Sequence, residues 1–489
     1  MRDFDGQPSH PRDPEASLPQ LPIIVDLDGT LLLTDTLVEM GVVALFRKPV
    51  ALVRAVIALP QGRHAMKAAL AQDVDLSKIA LPFREDLVEW LRQKAGEGHD
   101  LHLVSAADQT VVDEIAGRLG LFTSAVGSDG TNLKGDRKAA YLCAQYPDGF
   151  IYVGDNDVDL AVWSRSSGIV LAGTSTGVAV RAAALGKPVI HRFENAPLEL
   201  KDAVKAVRVH HWSKNVLMFV PLILAHQWYN APLIRATFLG FLCLLAVTSG
   251  TYLLNDIADL NADRSHWSKK TRALASGRLP IAAGLAMAVA LVAGGLRGAL
   301  VISPHLFLAI LAYCVITLAY SLGLKRIPLL DTLIIGILFA SRLVMGAVLI
   351  EHTKPAWLLS FAVFFFFSMA NAKRHTEIVR AAKEGAASIR SRGYELEDAP
   401  LTLALGVSSA VASLVVLILF ILQAMLPGQA YSRPALLSGI PIVLAIWMGR
   451  IWFLSHRGRM NDDPVSFALR DRTSMILFAA VAVLFMVSL

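Results

Sequence analysis

Two sets of carboxylates have the residue types and spacing for phosphate chemistry. Asp256, Asp259 and Asp263 follow the apolar run Phe238–Leu254 at i, i+3, i+7, with Asn255 just ahead of them. On a continuous helix that spacing puts all three on one face. Adjacent carboxylates repel one another and invite a hard divalent cation such as Mg²⁺, which takes oxygen ligands. Arg264, Lys269, Lys270 and Arg272 come directly after, placed to meet a phosphate. A metal–diphosphate site at a membrane face is the expectation. The second set lies at Leu21–Asp28, where an apolar run ends in Asp26 and Asp28 and then turns through Gly29-Thr30. At a strand end these two side chains point the same way. One can attack a phosphoryl group beside Mg²⁺ while the other handles the proton.

The elements that must position these residues fall into two halves of different composition. The chain has 489 residues, 54% of them hydrophobic, and its mean hydropathy of +0.51 lies above the soluble range. Residues 1–210 read as a water-soluble domain, whereas residues 215–489 are a series of long apolar runs. Cys143, Cys243 and Cys314 have no zinc or disulfide spacing, which fits a reducing compartment. The net charge of +6 does not imply nucleic acid, because many of the cations flank apolar runs. The polar, Pro-rich residues 1–20 hold no apolar signal core, so the first domain is expected to stay in the cytoplasm. No spacing in the chain sets an oligomeric state.

In the first half, strands are expected at Leu21–Val25, at His102–Val104 ending in Ser105, and at Phe150–Val153 leading into Gly154-Asp155-Asn156-Asp157-Val158-Asp159. Helical stretches between them predict a parallel sheet, with ligands beyond the carboxyl ends of the strands. Lys134 and Lys138 flank Gly135-Asp136-Arg137 ahead of a helix. This order of DxDGT, strand-end Ser, Lys and GDxxxD resembles the haloacid dehalogenase (HAD) phosphatase superfamily over residues 20–195, an α/β Rossmann-like fold with a small helical cap. The resemblance implies Asp26 as nucleophile, Asp28 as general acid/base, Ser105 as phosphoryl holder and Lys138 as charge neutraliser, with Lys134 a rival by spacing. It implies Asp26, Asp28 and Asp155 at Mg²⁺, with Asp159 a further candidate. Residues 35–83 look like the cap. Its run Val50–Leu59 is unusually apolar and reads either as a cap core helix or as a surface for lipid or a lipid-linked substrate.

In the second half, after a link at 196–214 carrying Lys214, about nine apolar runs read as membrane helices: 215–230, 236–254, 280–302, 305–323, 329–350, 355–372, 401–426, 435–454 and 473–489. Cations crowd the even-numbered connections, while the opposite side holds only Arg235, Arg297, Lys354 and Arg433. That asymmetry predicts a multi-pass inner-membrane protein with the first domain and both candidate sites in the cytoplasm. A second cluster joins Tyr320, Lys325 and Asp331, with Arg342 inside an apolar run, where a cation needs a partner. Lys373 and Arg374 form a third. Arg390 is one of the cations of the even connections, and Asp462-Asp463-Pro464 and Arg470-Asp471-Arg472 read as loop and interface charge.

NDxxDxxxD after the second run, with YSxxLK and Asp331 about the fourth, resembles the UbiA superfamily of intramembrane prenyltransferases. That family's all-α bundle holds Mg²⁺ and a diphosphate on carboxylates of two cytoplasmic segments. Asn255, Asp256, Asp259, Asp263, Tyr320, Lys325 and Asp331 match it. A second DxxxD is incomplete, because Ile335 stands four residues after Asp331. HHWSKN, DRSHWSKKTRALASG, YSLGLKRIPLLD and the late DPxxxxxRDR are similar to polyprenyl-phosphate phosphoribosyltransferases. That likeness implies phosphoribosyl diphosphate as donor and a polyprenyl phosphate as acceptor. Together the halves imply a bifunctional enzyme that transfers phosphoribose to a lipid phosphate and then removes the 5-phosphate. The alternative is prenyl transfer to an aromatic acceptor with an independent phosphatase or regulatory domain.

Overall fold

The computed structural model describes residues 20–128, 133–350, 356–384, 388–389, 392–425, 431–460, 464–468 and 470–489. The polar tail up to residue 19 and Lys354, Arg390, Asp462 and Asp463 lie outside the described residues. The chain packs as two compact units. One takes the residues up to Ala206 together with Asp256–Ala286, and the other takes Val207–Asn255 with Met287–Leu489. The stretch Asp256–Ala286, part of the apolar half by sequence, therefore packs with the N-terminal unit.

The first unit is built on a parallel sheet of β1 (Ile23–Val25), β2 (Leu101–Asp108), β3 (Ser124–Ser128), β4 (Ile151–Gly154), β5 (Gly168–Ala172) and β6 (Val189–Phe193). Their order is β3-β2-β1-β4-β5-β6. Ile23, Ile24 and Val25 pair with Leu101, His102 and Leu103 on one side and with Ile151, Tyr152 and Val153 on the other. Successive residues feed opposite cores: Ile23, Val25, Leu103 and Val153 pack on one face, Ile24, Val104 and Tyr152 on the other. A strand covered on both faces needs the continuous apolar sequence seen here. β2 runs on past the expected end at Ser105 to Asp108, with a register irregularity after Val104.

Three helices, Thr36–Arg47, Pro49–Ala58 and Arg63–Asp73, make up the insertion between Asp35 and Phe83 that is expected to be the cap. Asp35 caps the first of them by accepting from the Leu37 amide at 2.8 Å. The two ends of the insertion are pinned together, the Leu33 amide donating to Pro82 and the Arg84 amide to Leu31, both at 2.9 Å.

Among the described residues seven helices are long and apolar enough to cross a membrane: Ala231–Ala258, Ile281–Ile302, Pro304–Leu322, Leu330–Ala347, Ala356–Lys383, Leu396–Gln423 and Pro434–His456. This corrects the expected nine. The first run folds only as the short segment Trp212–Leu224, and the last as Arg472–Ser488. At 1.5 Å per residue neither reaches the roughly 30 Å of a hydrocarbon core. In the second unit Gly336 lets two helices approach closely, since a Cβ there would lie 3.0 Å from the Phe367 backbone nitrogen.

Candidate active site

The strand order brings the carboxyl ends of β1, β2 and β4 to one edge, and the first unit's acidic residues gather there. They line a cavity of about 1060 Å³ with Ser105, Lys134, Lys138, Lys67 of the cap, and Ser276 to Arg278. Carboxylate oxygens of Asp26, Asp155 and Asp159 lie within 4.8 Å of one another, a grouping able to hold a metal ion. Of the two lysines, Lys138 donates to Asp26 Oδ1 at 2.7 Å and to the Tyr152 hydroxyl at 2.9 Å. Tyr152 in turn donates to Asp159 Oδ1 at 2.9 Å. Asp159 Oδ2 accepts from the amides of Asp155 and Asn156 at 3.0 and 3.1 Å, which fixes the turn after β4. Asp28 accepts from the Thr36 amide at 2.8 Å. Ser105 is buried and accepts from the Ala107 amide at 3.1 Å.

The electrostatics follow from burying this much negative charge. Desolvation first, and then the charge of Asp35, pushes the Asp28 carboxyl up to about 7. Burial, followed by Asp159 and Asp26, pushes Asp155 up to about 8. Asp159 is raised by burial and by Asp26. The Tyr152 phenol rises for the same reasons, so it remains a donor to Asp159. Three hard oxygen donors that repel one another in a partly buried site fit a divalent cation such as Mg²⁺. Gly29, at φ +81°, is required here, because a Cβ would collide with the Asp155 carboxylate.

Sequence spacing did not single out Tyr152, Arg84 or Lys67. Arg84 is buried and donates to the carbonyls of Thr30 at 2.9 Å and Gly29 at 3.1 Å, clamping the turn that carries Asp28. Lys67 donates to the Ala106 carbonyl at 2.9 Å. No motif marks these residues, and Arg84 and Lys67 act through partners distant in sequence.

The second carboxylate set departs from a single helix face. The helix Ala231–Ala258 stops before Asp259, and a new helix runs from Leu260 to Arg264. Asp259 sits at the break with φ −94° and ψ 8°. Asp256 and Asp263 still meet, because the Arg272 guanidinium donates to both, at 3.1 and 2.5 Å. Lys269 lies 3.6 Å from Asp263. Lys270 is exposed, and Asn255 is half-buried in the last turn of the longer helix. Two oxygen ligands bracketing one cationic nitrogen are a donor set that a hard cation also satisfies.

Arg264, next to Asp263, turns the other way and is buried against Glu39 of the cap at 2.7 Å. Asn261 accepts from the Ala80 amide and donates to the Lys78 carbonyl, each at 2.7 Å. Arg278 pairs with Asp202 at 2.6 Å. These bonds hold Asp256–Ala286 within the first unit.

In the second unit, fully buried Asp331 pairs with Arg374 at 2.6 Å and accepts from the Tyr394 hydroxyl at 2.7 Å. Burial, and then the bond to Asp331, pushes Tyr394 up to about 12. Arg374 also pairs with Glu377, which has Lys373 at 4.0 Å. Tyr320 accepts from Arg392 at 2.6 Å, and Lys325 lies in the turn Leu324–Arg326. Arg342 finds its partners in Asn215 at 2.8 Å and the Tyr313 hydroxyl at 3.2 Å. Its guanidinium lies 5.1 Å from the centre of the Phe339 ring, which Lys214 approaches at 5.6 Å. Tyr394, Arg392 and Asn215 had no place among the expected site residues beyond Asn215's position in HHWSKN.

A helical membrane domain with clustered carboxylates and phosphate-suited cations defines a class of intramembrane transferase. The chain belongs to the UbiA prenyltransferase family, whose model matches residues 216–486. An uncharacterized protein y4nM of Sinorhizobium fredii is 41% identical over 471 residues, 96% of this chain and 91% of its own, so the similarity runs through both halves. The nodulation protein NoeC of Azorhizobium caulinodans is 32% identical over 57% of this chain and 90% of its own. A decaprenyl-phosphate phosphoribosyltransferase of Mycobacterium tuberculosis is 29% identical over the same shares.

Proposed function

We propose that this UbiA-family protein is a bifunctional enzyme of the inner membrane, with both sites in the cytoplasm. Its membrane domain transfers 5-phosphoribose from phosphoribosyl diphosphate to a polyprenyl phosphate. Its N-terminal domain, read as a HAD-type phosphatase, then removes the 5-phosphate. One observation carries this reading. A carboxylate–lysine set (Asp26, Asp155, Asp159, Lys138) and a carboxylate–arginine set (Asp256, Asp263, Arg272) are built into one compact unit. The similarity to a phosphoribosyltransferase supports the choice of donor.

In the transfer, an oxygen of the lipid phosphate attacks the anomeric carbon of ribose as the bond to diphosphate breaks. Asp256, Asp259 and Asp263 would hold Mg²⁺, which supplies charge for the departing diphosphate. Arg272, Lys269 and Lys270 meet phosphate oxygens, for which Arg272 exchanges its carboxylate partners. Asn255, Lys214, Tyr320, Lys325, Asp331, Arg342, Lys373 and Arg374 are assigned to substrate binding, directly or by holding their neighbours.

In the second step an Asp26 oxygen attacks phosphorus, the ester oxygen leaves, and Asp28 gives it a proton. A carboxyl raised to about 7 is poised near neutral pH both to give and to take this proton. Water then attacks the aspartyl phosphate, returning its proton to Asp28 and releasing inorganic phosphate. Lys138 and Ser105 hold the phosphoryl oxygens, and Mg²⁺ on Asp26, Asp155 and Asp159, rather than on the proton-carrying Asp28, would balance their charge.

Mass spectrometry of the lipids tests both steps. Wild type given phosphoribosyl diphosphate, polyprenyl phosphate and Mg²⁺ should yield lipid-linked ribose, and Asp26→Asn should accumulate lipid-linked phosphoribose. No lipid-linked pentose from either protein would overturn the transfer.

A further inference from the structure

The cap helix Pro49–Ala58 is inside out for a helix facing water. It buries its small residues, Ala51 at 3% exposure and Ala55 at 1%, and presents Val50 at 64%, Val53 at 57%, Val56 at 57% and Ile57 at 69%. Leu45 and Leu59 beside it are exposed as well. A water-soluble cap would carry polar residues on that face. The charge around it is mainly basic, with Asp73 pairing with Arg54 at 3.2 Å. From Met40 to Gln72 there is no carboxylate, while Arg47, Lys48, Arg54, Arg63 and Lys67 are cationic. A short apolar face with a basic rim is the composition of an element lying in an anionic lipid surface.

The cap's anchorage puts a bilayer within reach. Glu39 and the carbonyls and amide at Lys78 and Ala80 are bound by Asn261 and Arg264. Those two residues follow the membrane-length helix Ala231–Ala258 within six residues, a span of at most about 20 Å of chain. The same cap lines the Asp26 cavity, to which it contributes Leu37, Met66 and Lys67.

We propose that the helix Pro49–Ala58 seats the cap in the anionic membrane surface through Val50, Val53 and Ile57, so that the cavity beneath takes phosphomonoesters presented from the bilayer. The substrate half of this rests on the phosphatase reading above. The full chain, with Cys143, Cys243 and Cys314 replaced by Ser, is labelled with an environment-sensitive fluorophore at Val53→Cys. The control is the same label at Glu89→Cys, an exposed site on the helix Glu85–Gly96. Both are placed in phosphatidylglycerol–phosphatidylcholine nanodiscs. Spin-labelled lipid should quench the label at 53 and not at 89, and aqueous iodide the reverse. Iodide quenching at 53 equal to that at 89 overturns the proposal, and so does shielding from both quenchers, which would mean a protein partner or a second copy.

The exposed double variant Val53→Asp/Ile57→Asp reads the substrate half. Phosphate release from lipid-linked phosphoribose should fall about tenfold as surface binding weakens, with p-nitrophenyl phosphate hydrolysis unchanged. Equal rates on the lipid substrate before and after substitution overturn that half. If wild type hydrolyses neither ester, the phosphatase reading has failed, and the quenching still decides the membrane seat.

Discussion

Asp26, Asp155 and Asp159 crowd together with one ammonium group, Lys138, at 2.7 Å from Asp26. Asp256 and Asp263 instead share the Arg272 guanidinium and have Lys269 near by. The first cluster carries surplus negative charge held by strand ends and a capped turn, which cannot relax away from one another. The second is balanced by long cationic side chains, one turn or loop away, that can swing. Rigid backbone is what sustains like-charge crowding, and it stores a site for a cation. Flexible cations suit a site where an arriving diphosphate must displace a resident partner.

The sharpest way to separate the two clusters is to disable one and read the other. Asp26→Asn should lower inorganic phosphate release by at least ~10³-fold, as loss of a nucleophile does, while diphosphate release in the same assay stays at the wild-type rate. Asp263→Ala should reverse the pattern, cutting diphosphate release by roughly 10²-fold and leaving hydrolysis of a small phosphomonoester intact. Loss of diphosphate release in Asp26→Asn, or of small-phosphomonoester hydrolysis in Asp263→Ala, would mean that the clusters form one site.

The ion pair tying the cap to Arg264 gives the next effect. Glu39→Ala leaves a buried guanidinium without its carboxylate and should cost about 3 kcal/mol, seen as a lower denaturation midpoint. Glu39→Gln keeps a hydrogen bond and should lose less.

The surplus charge of the first cluster predicts a pH slope. Asp28 and Asp155 have folded values near 7 and 8, above the ordinary 3.8, so the folded protein binds more protons than the unfolded chain between these limits. With Mg²⁺ chelated, stability should therefore fall as pH rises from about 4 to about 8. Mg²⁺ added at pH 8 should restore it, and Asp155→Asn should flatten the slope in a thermal-shift series. The smallest effect belongs to the second unit. Tyr394→Phe removes one bond to buried Asp331 and one from the Leu329 amide, and should cost about 1–2 kcal/mol.

Local pattern made the first cluster legible. An apolar run ending in DxDGT and another ending in GDxxxD each place a carboxylate at a strand end, and parallel strands bring their carboxyl ends to one edge. Apolar length marked seven helices well and overcounted two, because an apolar run does not reveal where the backbone leaves the α-helix: the first run begins as the 3-10 segment Val209–Phe219, and its α-helix is only Val220–Leu224. The break at Asp259 was illegible: i, i+3, i+7 spacing describes a continuous helix, and the backbone departs from one where Arg264 and Asn261 bond to the cap. The Val50–Leu59 run was visible as apolar, but only packing shows its alanines inside and its valines out.

The sequence by itself determined the two architectures, the family of the membrane half and the residue types of both acidic sites, since each depends on periodicity and on neighbours a few residues apart. Tertiary structure decided which side chains meet. Lys138 rather than Lys134 contacts Asp26, Tyr152 joins Lys138 to Asp159, and Arg272 bridges Asp256 and Asp263. It also set Asp256–Ala286 in the N-terminal unit, through Arg264 on Glu39 and Arg278 on Asp202. Such pairs join residues up to 225 positions apart, and a contact across that distance is chosen by how the folded elements pack, which no local spacing encodes.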